Sequence, residues 1–169
     1  NLAEYKSRSI LLTAGIKTQK SILVQSEDEA ILAAKTIGKA VALKVQSQDI
    51  PHKSESGGVV LNIATHNDVG QHFKSMHSVI SQDFPKAIID GFLIQEMSEP
   101  GLEIILGINN TEGFGPILMV GFGGIHVEKT KDVAFAPVPL GEDDCNQLLK
   151  KLKGSVLLDA DKYDVPALI

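Results

Sequence analysis

Lys44 stands in the apolar run Ala40-Val41-Ala42-Leu43-Lys44-Val45. An ammonium group there must either reach water or meet an anion, because burying it unpaired costs several kcal/mol. Strand geometry leaves open an exposed edge lysine or an anion ligand. The loop that follows, Asp49-Ile50-Pro51-His52-Lys53-Ser54-Glu55-Ser56-Gly57-Gly58, favours the anion. Lys53 adds positive charge, and Gly57 and Gly58 can let backbone amides approach phosphate oxygens. The same residues also suit a tight turn, and their spacing is not that of a P-loop. Glu128 and Asp132 are four apart around Lys-Thr-Lys. They could offer oxygen ligands to a hard metal ion, or close a hairpin through salt bridges to Lys129 and Lys131; spacing does not choose between the two. His66, His72 and His77 lack partners at metal-ligand spacing. Gly121-Phe122-Gly123-Gly124 is not a dinucleotide fingerprint, since the full spacing and a following helix are missing.

Several elements must hold these groups. Ser21–Val24 is a short strand, and Ser26-Glu27-Asp28-Glu29 is a capping box that opens a helix. That helix has an apolar face at Ala30, Ile31, Ala33, Ala34 and Ile37 and ends at Gly38. Residues 40–45 read as a central strand, 46–58 as a loop and 59–63 as a returning strand. Thr65 to Asp68 caps a second helix running to about Gln82, with Val69, Phe73, Met76 and Ile80 on its apolar face. Residues 92–97 and 103–108 are predicted to be two strands joined by a Pro100-Gly101 turn. Strands at 116–120 and 133–138 follow, with a glycine-rich turn and Ile125 to Lys129 between them. The last helix spans about Glu142 to Lys153, its acidic first turn and basic last turn matching the helix dipole.

The 169 residues are 43% hydrophobic and 22% charged, which suits a soluble globular chain with a real core and excludes disorder, collagen and coiled coil. Sixteen Lys plus Arg against 21 Asp plus Glu give a net charge of −5. No general positive field therefore draws in nucleic acid or an anionic membrane, and any anion site must be local. The most apolar run, Pro116 to Ile125, is too short to cross a bilayer, and no signal pattern opens the chain. The lone Cys145 forms no internal disulfide, in keeping with a cytoplasmic location. The missing initial Met and the apolar tail Asp-Val-Pro-Ala-Leu-Ile, which has no obvious surface to cover, point to a domain excised from a longer protein.

Taken together, Ser7 to Ile16, Ser26 to Ala30, Val41 to Val59, Leu93 to Met97, Gly101 to Gly107, Phe114 to Glu128 and Lys131 to Phe135 resemble the ATP-grasp module of the nucleoside-diphosphate-forming (ADP-forming) acyl-CoA synthetases. The same module occurs in some bacterial protein lysine acetyltransferases. The likeness covers about residues 7–158, and its His-Lys-Ser-Glu-Ser-Gly-Gly-Val and Phe-Gly-Pro motifs carry most of the specificity. It implies an α+β (α/β) fold of two lobes, with mixed or antiparallel sheets flanked by helices and ATP clamped between the lobes. Residues 1–88 would form the N-terminal lobe and 89–169 a truncated C-terminal one. By resemblance, Lys44 and Lys53 contact the phosphates, and Ser54, Ser56, Gly57 and Gly58 belong to a flexible phosphate-covering loop. Gln95, Glu96 and Met97 lie in the hinge that reads adenine through its backbone, and Glu103 holds the ribose hydroxyls. His52 carries the phosphoryl group toward a second histidine on a CoA-binding domain and then to an acyl phosphate. Glu128 and Asp132 face Mg²⁺.

A triphosphate carries about four negative charges, and compensating positive field is most of what phosphoryl transfer asks of a protein. Imidazole nitrogen is a competent nucleophile near neutral pH. The chain departs from the family pattern at Ser7-Arg8, where Ser-Lys is usual, and in Leu158 to Tyr163, where an Arg-Gly pair is usual. It also stops before the family's acidic-Asn-Pro segment. The expected partners are ATP and the CoA-binding and ligase domains of the parent chain or of a partner subunit; an oligomer is compatible with the sequence. Alone, the chain is expected to bind nucleotide weakly and to be inactive as an acid–CoA ligase. The alternatives are a degenerate regulatory module of an acetyltransferase and a non-catalytic α/β interaction domain.

Overall fold

The computed structural model describes residues 2–50, 52–124 and 132–169, and the chain divides into two compact units, Asn1–Glu99 and Pro100–Ile169.

The first unit opens with helix α1 (Glu4–Thr13), which none of the sequence signals indicate because it presents no apolar stripe to a core and has no buried side chain. Strand β1 (Ser21–Val24) leads to helix α2 (Glu27–Ile37). The Ser26 hydroxyl accepts the Glu29 N–H at 3.3 Å, as the capping box requires. The Glu29 carboxylate reaches one residue further back than expected and accepts the Gln25 N–H at 2.7 Å. Gly38 closes the helix in the left-handed conformation at φ 73°. Strand β2 (Val41–Gln46), strand β3 (Val59–Ile63), helix α3 (His66–Asp83) and strand β4 (Gly91–Glu96) complete the unit.

Its sheet runs β1-β4-β2-β3, and all its pairings are antiparallel. Lys44 pairs with Leu93 of β4 and with Val59 of β3, so it lies on an interior strand and the edge-lysine reading falls. Helices α2 and α3 cover one face, burying Leu43, Val45, Phe92 and Ile94 together with Ala30, Val69, Phe73 and Ile80. The two helices approach closely at Gly70, where a Cβ would come within 2.9 Å of the Glu27 carboxylate and 3.0 Å of Ile31. The opposite face carries Ser21, Lys44 and Gln46, each tied to α1 through a side-chain polar contact. One face is therefore core and the other carries polar groups, as pleat alternation dictates.

The second unit is a meander of β5 (Ile104–Thr111), β6 (Gly115–Phe122) and β7 (Val133–Pro137), followed by helix α4 (Glu142–Lys150). Val120, Ala134, Leu148, Leu149 and Leu152 form its buried core. The apolar tail does have a surface to cover: Val165 and Leu168 pack against this core.

Two expectations are corrected here. Residues 92–97 and 103–108 do not form a hairpin about Pro100-Gly101, because β4 is hydrogen-bonded between β1 and β2 whereas β5 pairs with β6. The division between units accordingly falls after Glu99 and not at 88/89, since β4 is an interior strand of the first sheet.

Candidate functional site

Lys44, His52, Lys53 and Ser54 line one cleft of about 640 Å³ in the first unit, together with Glu4, Glu55, Val59 and Leu61. The cleft is built from the polar face of β2, the start of β3, the loop between them and the first turn of α1. The loop is pinned at both ends. Ile50 is buried in the core, and Gly58 sits so close to β2 that a Cβ would lie 2.6 Å from Val45 Cγ1.

Three of the charged groups in the cleft lie within ion-pair distance of one another. The Lys44 ammonium lies 3.0 Å from Glu4 Oε1, and the Lys53 ammonium lies 3.9 Å from Glu4 Oε2. The Glu4 carboxylate thus faces two ammonium groups, while the Glu55 carboxylate also lines the cleft. Burial pushes the Lys53 ammonium below its ordinary pKa; the Glu4 carboxylate opposes that shift and the Lys44 charge adds to it. Such a pair is poised for a polyanion, whose charge would relieve both the desolvation and the mutual repulsion.

One glycine of the pair, Gly58, works differently from the sequence expectation. The Gly58 N–H donates to the Lys53 carbonyl at 2.7 Å and the Ser56 N–H to the His52 carbonyl at 3.2 Å, so these two amides close the loop on itself. The Ser56 hydroxyl also donates to the His52 carbonyl, at 2.9 Å. Gly57 adopts φ 68°, the left-handed turn conformation that glycine tolerates best. The loop therefore presents side chains of Lys53 and Ser54 to the cleft, while Gly58 permits the close approach to β2.

Gln95 and Glu96 end β4, and Met97 follows. The Glu96 N–H donates to the Lys20 carbonyl at 2.8 Å and the Met97 N–H to the Ala40 carbonyl at 3.0 Å, so both donors are spent within the sheet. The Glu96 carboxylate pairs with Lys39 at 2.8 Å, and that hydrogen bond, aided by the Lys39 and Lys20 charges, holds its pKa low. The Gln95 side-chain oxygen is buried without a partner.

Glu103 belongs to the second unit. Its carbonyl accepts the Gly123 N–H at 2.6 Å, and a Cβ on Gly123 would lie 2.6 Å from Glu103 Cβ. The glycine-rich turn is thus a seat for Glu103. Asp132 is bonded to backbone: Oδ1 accepts the Lys153 N–H at 2.8 Å and Oδ2 the Gly154 N–H at 2.7 Å, tying the start of β7 to the end of α4. Glu128, the other half of the expected metal pair, and the hairpin cations Lys129 and Lys131 lie outside the described residues. Among the described residues no group of three or more His, Cys, Asp or Glu side chains is placed to hold a metal ion.

The residue that sequence reasoning missed is Glu4. It lies forty positions from Lys44 on a helix without a core stripe, so no local pattern links the two.

The family model described as the ATP-grasp domain matches residues 1–168. The chain belongs to the ATP-grasp family. It is 39% identical over 171 residues to acetate–CoA ligase (ADP-forming) II of Archaeoglobus fulgidus, an alignment covering 99% of the chain and 24% of that protein. It is 34% identical to the β subunit of acetate–CoA ligase (ADP-forming) II of Pyrococcus furiosus, covering 98% of the chain and 70% of the subunit. The solved dinucleotide-forming acetyl-coenzyme A synthetase 1 of Candidatus Korarchaeum cryptofilum, in complex with coenzyme A, Ca-AMPCP and HgCl⁺, superposes with a TM-score of 0.88 at 35% identity. That match covers 93% of the chain and 69% of the solved one. A second structure of the same synthetase, with coenzyme A and Mg-AMPPCP, has its phosphohistidine segment pointing towards the nucleotide-binding site. At 32% identity it matches 92% of this chain and 65% of that one, with a TM-score of 0.77. The α+β ATP-grasp fold expected from the sequence is borne out, and the reading as an interaction domain with fortuitous motifs is overturned. No described helix is long and apolar enough to cross a membrane.

Proposed function

We propose that this chain is the ATP-binding part of an ADP-forming acyl-CoA synthetase, working with CoA-binding and ligase domains carried on the parent chain or a partner subunit in the cytoplasm. The observation that carries this is the convergence of the Lys44 and Lys53 ammonium groups on one cleft around a single carboxylate. The phosphates of ATP would lie against Lys44, Lys53 and Ser54. Met97 stands four residues beyond Leu93, the β4 partner of Lys44. That is about 13 Å along the strand, the scale of an extended nucleotide, which supports a base near the end of β4. With the Glu96 and Met97 N–H groups already bonded, the base would be read by other backbone atoms of that segment. Glu103 is retained as the ribose ligand.

His52, at the cleft, would take the γ-phosphoryl group. The bond between phosphorus and the oxygen bridging to the β-phosphate breaks, ADP departs with that electron pair, a nitrogen–phosphorus bond forms, and a neutral imidazole loses its N–H proton to solvent. The phosphoryl group then passes to a second histidine on the CoA-binding part and on to the carboxylic acid. Mg²⁺ is held largely by substrate phosphates in such enzymes, with one or two carboxylates. Asp132 accepts one backbone N–H on each oxygen, which leaves a lone pair on each for a metal ion, and no step here is routed through the metal.

Two measurements test the reading. Incubation of the complete gene product with γ-labelled ATP is expected to give acid-labile, base-stable label that is lost in His52→Ala; unchanged labelling of that variant would place the phosphate elsewhere. Calorimetric titration of Lys44→Ala with ATP is expected to show loss of binding with the fold intact, and wild-type affinity would remove the phosphate site.

A further inference from the structure

Glu4 is where the cleft holds a charge that nothing in the phosphate chemistry asks for. A carboxylate beside a phosphate site repels the ligand, so its presence needs a reason. The geometry supplies one. Its two oxygens divide between the two lysines, 3.0 Å to Lys44 and 3.9 Å to Lys53, and each ammonium has three donors, so neither is used up by the contact. The carboxylate is also delivered from a fixed place. Ala3 before it is 3% exposed, and the Tyr5 N–H after it donates at 3.3 Å to the side chain of Gln46, which is fully buried. The first turn of α1 is thus anchored to β2 next to Lys44.

We propose that Glu4 is a positioning residue for the phosphate site: its carboxylate holds the Lys44 and Lys53 side chains together on one wall of the cleft. Without it the two like charges repel, and the long lysine side chains regain their rotamer freedom. The groups facing Lys53 are Glu4 from α1, Lys44 from β2, and His52 and Glu55 from its own loop. Of these, the carboxylate of Glu4 is the one that raises the Lys53 pKa, against burial and Lys44. Removing that carboxylate therefore moves the loss of the Lys53 proton to lower pH.

This inference rests on Lys44 and Lys53 being phosphate ligands, and the experiment separates the two ideas. ATP affinity is measured by calorimetry on the complete gene product as wild type, Glu4→Gln, Glu4→Asp and Lys44→Ala, from pH 6.5 to 9.5, with far-UV circular dichroism as the fold control. Glu4→Gln is expected to weaken ATP binding about fivefold at neutral pH, a partly exposed pair being worth no more, and to shift the alkaline fall-off of binding to lower pH. Glu4→Asp is expected to recover part of both effects. A structural role alone would leave the alkaline limb in place. Wild-type affinity and an unmoved limb in Glu4→Gln, with Lys44→Ala still defective, would overturn the role of Glu4 alone, as would tighter binding, which would make Glu4 a competing counter-ion. Wild-type binding by Lys44→Ala would instead overturn the phosphate site itself. Should Glu4→Gln fail to fold, Glu4→Asp decides the matter by the position of the same limb.

Discussion

A single methyl group separates the loop of the cleft from a clash. Gly58 lies where a Cβ would come within 2.6 Å of Val45 Cγ1 and 3.1 Å of the Lys53 carbonyl oxygen. Val45 is buried on an interior strand and cannot yield freely. Gly58→Ala is therefore expected to destabilise the first unit by about 1–3 kcal/mol, read by urea unfolding, and to weaken ATP binding by displacing Lys53. A destabilisation near zero would mean that the loop does not press on β2. Charge at the end of β4 allows a second check at this scale. The Glu96 carboxyl titrates below its ordinary value chiefly because Lys39 donates to it, so that contribution to stability is present above the unfolded carboxyl pKa and is lost as pH falls through the lower, folded one. Lys39→Met is expected to move the Glu96 titration upward toward 4.5, followed by carbon NMR of the carboxyl group. Little of this was legible in the letters. Lys44 announced itself because a charge inside an apolar strand needs a reason, but its partner Glu4 is distant in sequence, and the backbone partners of Asp132 leave no mark on residue type.

Elements were legible where local rules act alone. Ser26 and Gly38 bracket α2 because a side-chain acceptor and a left-handed residue are properties of single positions, and Thr65 starts α3 in the same way, its hydroxyl accepting the Asp68 N–H at 3.2 Å. Strand pairing was less legible, because a Pro-Gly turn after β4 looks the same whether the next strand joins the same sheet or another. Helix α1 was missed since it buries no side chain of its own and is held by contacts made mostly through polar atoms: Glu4 to Lys44, the Tyr5 N–H to Gln46, and the Arg8 guanidinium to Ser21 and to the Gln19 carbonyl. Attachments of that kind open more readily than a packed face. Amide exchange in α1 is therefore expected to be at least tenfold faster than in β4, whose Leu93 and Ile94 are buried. Equal protection would show that α1 is held by more than these contacts.

The two units differ in how much core supports them. Among the described residues, sixteen buried side chains make the cluster of the first unit and five make that of the second. Stability grows with buried apolar area, and a unit of about seventy residues with a small core is marginal by itself. Each cluster is built from side chains of its own unit, so a core deletion should act first on the unit that contains it. Leu148→Ala removes a side chain that is 3% exposed in the second core and is expected to cost about 2–5 kcal/mol. Ile80→Ala, at 1% exposure in the first core, falls in the same range. Hydrogen exchange followed by mass spectrometry across a urea series distinguishes the units peptide by peptide. In the wild type, peptides from β5 to α4 are expected to lose protection at lower urea than those from β2, β4 and α3. Leu148→Ala should move only the earlier transition, and Ile80→Ala the later one. A single transition that both substitutions shift equally would mean that the units fold as one cooperative body, and that stability at the Lys44 cleft depends on the second core as much as on the first.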